Sequence, residues 1–428
     1  MIKKSMAAVL AAALMLAGCG GSESSRTDSS QTNSSQADSS AAELSSDGTG
    51  DMLTPDEDKP PETDEEWEQA MLKKSLVTLG DCTAVKAVIK KAQDGEKVTI
   101  AYLGGSITEG VGAGDELCYA RLSYESFKKT YGKDGGGNVE YVNAGISGTP
   151  SVLGNMRLQR DVLSKEPDIC FVEFAVNDAS DEDHRAAYES VVRDLLEKGT
   201  AVVLLFSVTE EDYSAQDYMK EIGEYYGLPM ISYCDALRYL FKNNRMTWKD
   251  FSDDHSHPNV KGHAMVAGMI DYFFSQAGNA QPVPKEYPSS PMSIMVQQGM
   301  QLLENGSIEP TSLGSWKKGS TVAHFTDGWT YDPDGDNEPL VFTFKGKFAH
   351  LIYKEVKSGN FGKLHVKVIC DGETYDEKDI TTVTKNGWGN PQTALLGMQA
   401  AEKEYRVEIS MASGSEDSLG EILGIAHN

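Results

Sequence analysis

Between about residue 67 and residue 280, short and nearly unbroken apolar runs alternate with longer amphipathic ones, and this rhythm limits the fold more than any other feature. The apolar runs are "KVTIAYLG" (97–104), "VEYVNAG" (139–145), "DICFVEFAVND" (168–178), "TAVVLLFSVT" (200–209) and "LPMISY" (228–233). Each has the length and content of a strand. The stretches "YARLSYESFKKTYG", "SVLGNMRLQRDVLSK", "HRAAYESVVRDLLEK" and "AQDYMKEIGEYYG" between them read as helices, several closed by Gly or Lys. Continuously apolar strands separated by helices predict a parallel sheet covered on both faces, an α/β domain over residues 67–280. In such a sheet ligands sit beyond the carboxyl ends of the strands.

After Ala280 the rhythm changes. "QPVPKEYPSSP" (281–291) is a proline-rich boundary, and "LVFTFKGKFAHLIYKE", "GKLHVKVICDGETYDE" and "EYRVEISMASG" alternate as half-buried strands do, with glycine-containing turns. Residues 281–428 are therefore expected to form an antiparallel β-sandwich, an accessory domain of ordinary size. The segment 291–305, "PMSIMVQQGMQLLEN", fits either a strand or a short helix.

The first residues assign a compartment. "MIKK" supplies positive charge, "AAVLAAALMLA" is too short to span a bilayer as a stable helix, and "LAGC" ends with small residues before Cys19. This reads as a secretory signal. Leu16-Ala17-Gly18-Cys19 resembles the bacterial lipobox, whose cysteine is acylated and becomes the new N-terminus. The resemblance implies a lipoprotein signal over residues 1–19 and an extracytoplasmic protein anchored to a bacterial membrane through Cys19. An ordinary cleaved signal with a chance cysteine is the alternative. Residues 20–66 turn to Ser, Thr, Asp and Glu and hold too little apolar surface to fold, so they read as a flexible tether; the run "DEEWEQA" begins structure.

The remaining cysteines, Cys82, Cys118, Cys170, Cys234 and Cys370, are scattered and suggest neither a disulfide framework nor a zinc cluster. Cys170 lies in an apolar run and reads as a core residue. A formal net charge of -26 argues against a nucleic-acid partner, whose phosphates it would repel.

Polar residues collect at the strand ends. The first strand runs into "GGSIT" with Ser106, the second into "NAGISGT" with Gly148, and the third ends at Asn177-Asp178. Beyond the fifth comes "SDDHSHPNVKGH", with Asp254 and His257 three residues apart. A serine hydroxyl is a poor nucleophile without a neighbouring base, and an imidazole base needs an orienting carboxylate. Ser106, His257 and Asp254 supply the three. A developing oxyanion needs preorganised donors, for which the Gly148 backbone and the Asn177 amide are suited.

These positions resemble the SGNH, or GDSL-like, hydrolase superfamily, whose four blocks contribute Ser, Gly, Asn and His in that order. The match covers roughly residues 96–275 through "GGSIT", "ISGT", "FAVND" and "DDHSHPN". It implies an SGNH-type three-layer α/β/α domain and a serine esterase that works without a cofactor through an acyl-enzyme. Ser106, Asp254 and His257 would be catalytic, and the Ser106 N–H, Gly148 and Asn177 would form the oxyanion hole. Two positions depart from the family pattern. Gly105 stands where an aspartate usually precedes the nucleophile, as in carbohydrate-active members. Ala175 replaces a glycine in the third block, which bears on the width of the site and removes no catalytic group.

Several of these positions have competitors. Gly145 competes with Gly148 for the oxyanion role. His255 and His263 compete with His257, but only His257 has the Asp-x-x-His-Pro context, which leaves His255 on the rim and His263 in a helix. Asp178 reads as a structural partner of the site. Asp253, Asp254, His255, His257 and His263 lie close enough to suggest a metal, but no His-Glu-x-x-His helix completes the pattern. "GGSIT" lacks the final glycine of the α/β-hydrolase elbow. In the second domain Asp332, Asp334, Asp336 and Glu338 alternate in a manner open to calcium, yet Gly335 comes too early for an EF-hand and a polar turn is favoured. Trp316, Trp329 and Trp388 are either packing or a sugar platform, with Trp388 in "NGWGNP" the best candidate for exposure.

The expected function is removal of small acyl groups, acetyl first among them, from an acylated polysaccharide. The alternatives are an O-acyltransferase acting on an envelope glycan and a non-catalytic glycan-binding lipoprotein.

Overall fold

The structure, a computed structural model, describes residues 60–281 and 283–428. The signal segment, Cys19 and most of the tether lie outside the described residues, as does Pro282. Two compact units divide at Ala70 and Met71. The described part of the first is the opening of helix Asp64–Ser75. Its first turn carries Asp64, Glu65 and Glu66, placing negative charge at the positive end of the helix dipole. Thr63 and Glu66 cap this end reciprocally: the Glu66 N–H donates to the Thr63 hydroxyl at 3.2 Å, and the Thr63 N–H donates to the Glu66 carboxylate at 3.0 Å.

In the second unit six strands form a sheet: β1 (Leu76–Thr78), β2 (Val98–Gly104), β3 (Val139–Gly145), β4 (Ile169–Glu173), β5 (Ala201–Phe206) and β6 (Met230–Ser232). Their order is β1-β6-β5-β4-β2-β3. β2 to β6 pair in parallel, and β1 joins the edge antiparallel to β6. The short β1 has no apolar run to announce it and was missed from the sequence. Helices Thr83–Asp94, Tyr119–Tyr131 and Val260–Asn279 pack with one another, as do Ser151–Asp161, Glu182–Glu197 and Gln216–Tyr226. The two groups make the outer layers, so β2, β4, β5 and β6 are buried throughout. Cys170 is wholly inside this core, and burial pushes its thiol well above its ordinary range.

The chain leaves β2 for β3 on one side and then crosses to β4 on the other. That reversal is a topological switch point, the place at which a parallel sheet receives ligands beyond the carboxyl ends of its strands, here β2 and β4.

Eight further strands follow: β7 (Gln301–Leu303), β8 (Trp316–Lys318), β9 (Trp329–Tyr331), β10 (Leu340–Glu355), β11 (Leu364–Cys370), β12 (Glu373–Ile380), β13 (Asn390–Met411) and β14 (Glu421–His427). What the sequence presents as a sandwich is hydrogen-bonded as a single antiparallel sheet, β12-β11-β13-β10-β14-β9-β8, with β7 on β14. The physical reason lies in β10 and β13, 16 and 22 residues long, which carry the ladder from one end to the other. Register shifts near Gly346–Phe348 and Ala349–His350 change which residues of β10 face inward. Before them Leu340, Phe342 and Phe344 enter the core, and after them Ala349, Leu351 and Tyr353 do. The opposite face is thereby freed, and Phe348 and Ile352 pack with Ile146, Leu153 and Met156 beside the parallel sheet.

Of residues 291–305, whose pattern fits either a strand or a short helix, Gln301–Leu303 forms the short strand β7, and residues 291–300 are neither. Backbone N–H groups of Met292, Ser293, Gln297 and Gly299 donate to Glu189, Ser190 and Asp194 of helix Glu182–Glu197, at 2.7–2.9 Å. Side chains of that helix take the place of a ladder.

Candidate active site

Ser106 opens the four-residue helix Ser106–Glu109 directly after β2. The turn is built for close approach. A Cβ on Gly105 would stand 2.4 Å from Asn177 Oδ1, so the position next to the serine has no room for the aspartate of the common motif. Thr108 anchors the turn from below: its Oγ1 lies 2.8 Å from the Tyr119 hydroxyl and 3.1 Å from Glu173 Oε2, all three residues fully buried.

His257 reaches the serine from the loop before helix Val260–Asn279. Its Nε2 is 2.8 Å from Ser106 Oγ and its Nδ1 is 2.7 Å from Asp254 Oδ2. The other Asp254 oxygen accepts the backbone N–H groups of Ser256 and His257, each at 2.7 Å. Burial alone would raise this carboxyl, but those two N–H groups and the imidazole outweigh it and hold the carboxyl at about 2. Asp254 is thus a fixed negative charge behind the ring. The loop is itself pinned, because the Trp248 indole donates to the Asp254 carbonyl at 2.6 Å and Asn259 Oδ1 caps the helix through Lys261 and Gly262 at 3.0 Å.

Gly148 follows β3 with φ +70, a conformation that favours glycine, and a Cβ there would meet the Trp388 ring at 2.8 Å. Gly145 serves the packing of the turn instead: a Cβ there would stand 2.1 Å from the Glu109 backbone nitrogen, and its N–H donates to Asn143 Oδ1 at 2.9 Å. Asn177 lies four residues past β4 in a turn whose N–H groups, from Asn177 and Asp178, bond to the Phe174 carbonyl. Its Oδ1 is buried without a hydrogen-bond partner.

The other histidines are engaged elsewhere. His263 accepts the Tyr119 N–H on Nδ1 and donates from Nε2 to the Val111 carbonyl, both at 3.1 Å, and burial pushes it down to about 4. His255 is exposed. Among the described residues no three His, Cys, Asp or Glu side chains converge as a metal would need. The acidic run in the second sheet forms a turn: the Gly335 N–H donates to the Asp332 carbonyl, and Asp332 pairs with Lys317 at 2.6 Å.

Residues 102–265 match the GDSL-like lipase/acylhydrolase family. The chain carries an SGNH-type ester-hydrolase domain. Two solved structures of a two-domain esterase active on acetylated mannans, one co-crystallised with mannopentaose, are each 26% identical to it with a TM-score of 0.70. The alignments cover 83% of this chain and 97% and 98% of those chains, so both folded parts are included. No curated protein matches.

Within the hydrolase domain Ala175 is fully buried among core side chains and lines no surface, so the alanine does not narrow the site. Asp178 is also buried. It accepts the Ser151 N–H at the start of helix Ser151–Asp161 at 2.7 Å and the Tyr218 hydroxyl at 2.8 Å, which anchors the turn holding Asn177. Burial raises its carboxyl to about 6.

Three residues that sequence reasoning missed also support the site. Arg157, wholly buried, donates to the carbonyls of Gly104 and Ala144 at 2.9 and 2.7 Å and so ties together the ends of β2 and β3. Glu173 ends β4 beneath the serine turn, where burial lifts it to about 7 despite hydrogen bonds from Ser207 and Thr108. Glu109 closes the serine helix. Of the tryptophans, Trp316 and Trp329 are core residues, whereas Trp388 is 62% exposed and lies over Gly148.

Proposed function

We propose that the chain is a serine esterase that removes acetyl groups from a mannan-type polysaccharide by way of an acyl-enzyme. The unbroken Ser106–His257–Asp254 relay, with links of 2.8 and 2.7 Å, carries this reading. His257 takes the proton of Ser106 as the oxygen attacks the ester carbonyl, and Asp254 stabilises the resulting imidazolium. N–H groups of Ser106 and Gly148 and the Asn177 amide hold the oxyanion. Return of the proton releases the sugar hydroxyl, and water activated by His257 frees acetate.

The substrate class rests on the two-domain mannan esterase, whose likeness extends through the second sheet. Trp388 adds support, since an exposed indole beside the oxyanion glycine offers a face on which a pyranose ring can stack. In the same reading, resting on the lipobox pattern alone, Cys19 carries the membrane anchor.

The test is acetate release from 4-nitrophenyl acetate and from acetylated mannan, xylan and peptidoglycan, with Ser106→Ala and His257→Ala alongside. Mannan should be the best polymer, and each substitution should lower kcat by about a thousandfold or more. Undiminished release by Ser106→Ala would end the serine mechanism, and preference for another polymer would end the mannan assignment.

A further inference from the structure

The oxyanion loop is held by a carboxylate with no part in the relay, and that carboxylate is in turn met by the second sheet's domain. Glu109 closes the serine helix, three residues after Ser106. One of its oxygens, Oε2, accepts the Ser147 N–H at 2.8 Å and also the Ser147 hydroxyl in a short hydrogen bond. Ser147 immediately precedes Gly148. Fixing both the amide and the side chain of Ser147 fixes the peptide that presents the Gly148 N–H. The other oxygen, Oε1, lies 3.5 Å from Nε2 of His324, between β8 and β9. His324 adopts φ +65, a conformation uncommon for a residue with a Cβ. Its carbonyl accepts a hydrogen bond from Arg160 at 3.0 Å, and Arg160 also pairs with Glu304 at 2.6 Å. His324 is thus held against the hydrolase domain from its backbone side while its ring faces Glu109.

The geometry points to Glu109 as a positioning residue for the oxyanion loop, with His324 steadying its free oxygen so that the second domain reaches the reacting centre. This rests on the serine esterase reading, in which the Gly148 N–H meets the oxyanion. A misdirected oxyanion donor weakens transition-state stabilisation while leaving ground-state binding in place, so the effect belongs in kcat.

The experiment compares Glu109→Ala, Glu109→Gln, Ser147→Ala, His324→Ala and Ser106→Ala in the full chain, measuring kcat and KM for 4-nitrophenyl acetate. Glu109→Ala should lower kcat about a hundredfold with KM within about twofold. Glu109→Gln keeps a carbonyl oxygen for both Ser147 donors and should stay within about threefold of the parent. Ser147→Ala retains the N–H bond alone and should fall between them. His324→Ala, a change at a half-exposed side chain, should lower kcat several-fold, and adding it to Glu109→Ala should cost nothing more. Parental kcat in Glu109→Ala, equal losses in the Ala and Gln variants, or a loss confined to KM would overturn the assignment while the esterase reading stands. If Glu109→Ala does not fold, Ser147→Ala and His324→Ala decide it, and parental kcat in both overturns it. Turnover that survives Ser106→Ala would overturn the esterase reading and this inference together.

Discussion

Gly105 shows how finely the serine turn is cut. Its Cα lies against the Asn177 amide, and a single added methyl group would meet Oδ1 at 2.4 Å. Gly105→Ala should displace that amide and lower kcat about a hundredfold, as misplacement of a catalytic group by about an ångström does. KM for a small ester should hold steady; a variant with parental kcat would show that the amide has room to move. Ser106 and Asn177 could be read as candidates because they closely follow apolar strands, and Asp254 and His257 because of their Asp-x-x-His-Pro spacing just before a helix. Glu109 was not legible, although it lies only three residues after the serine. Its role depends on where Ser147 stands in space, and a glutamate at the end of a short turn reads as solvated surface. Asp254 illustrates a different limit: its place in the relay follows from its spacing to His257, but its fixed charge arises from two loop N–H groups that only the folded backbone supplies.

At the scale of the elements, β4 carries the sharpest anomaly, a lone carboxylate at the end of a continuously apolar strand. Burial raises Glu173 to about 7, and the nearby Asp178 adds to the effect that Ser207 and Thr108 oppose. A carboxyl raised in the folded state leaves stability whole below its unfolded value of about 4.3 and erodes it as pH climbs to the folded value. Glu173→Gln should therefore match the parent near pH 4 and exceed it at pH 8 by on the order of 3 kcal/mol in urea unfolding. Parallel stability curves for the two proteins would show that the carboxyl ionises freely where it stands. Four of the five parallel strands, β2, β4, β5 and β6, were readable because burial on both faces demands unbroken apolar runs, whereas β3, half-buried at the sheet edge, shows a weaker one. β1 was not, since a three-residue edge strand needs no such pattern. Within the ambiguous segment 291–305 only Gln301–Leu303 forms a strand; residues 292–299 send hydrogen bonds to side chains of a helix, whose polar surface imposes no period on the chain that crosses it.

For the whole molecule, the second sheet is part of the site. Phe325, Phe348, Ile352 and Leu423 share a core with Ile146, Leu153 and Met156, and Trp388 is thereby brought over Gly148. Trp388→Ala should raise KM for acetylated mannan at least tenfold while leaving kcat on 4-nitrophenyl acetate within about twofold, because the aryl ester needs no sugar platform. Equal loss on both substrates would make the indole a support for the oxyanion loop instead. The sequence signalled Trp388 as an exposed aromatic, but its distance from the hydrolase motifs along the chain hid its position beside them. Acyl transfer through Ser106 itself is open to direct inspection: acid-quench the protein during the first turnovers of 4-nitrophenyl acetate and weigh its peptides. One acetyl group on the peptide containing Ser106, rising in step with the 4-nitrophenolate burst and missing from Ser106→Ala, is the predicted result. Product formed at full rate with that peptide never acetylated, or by Ser106→Ala, would contradict it.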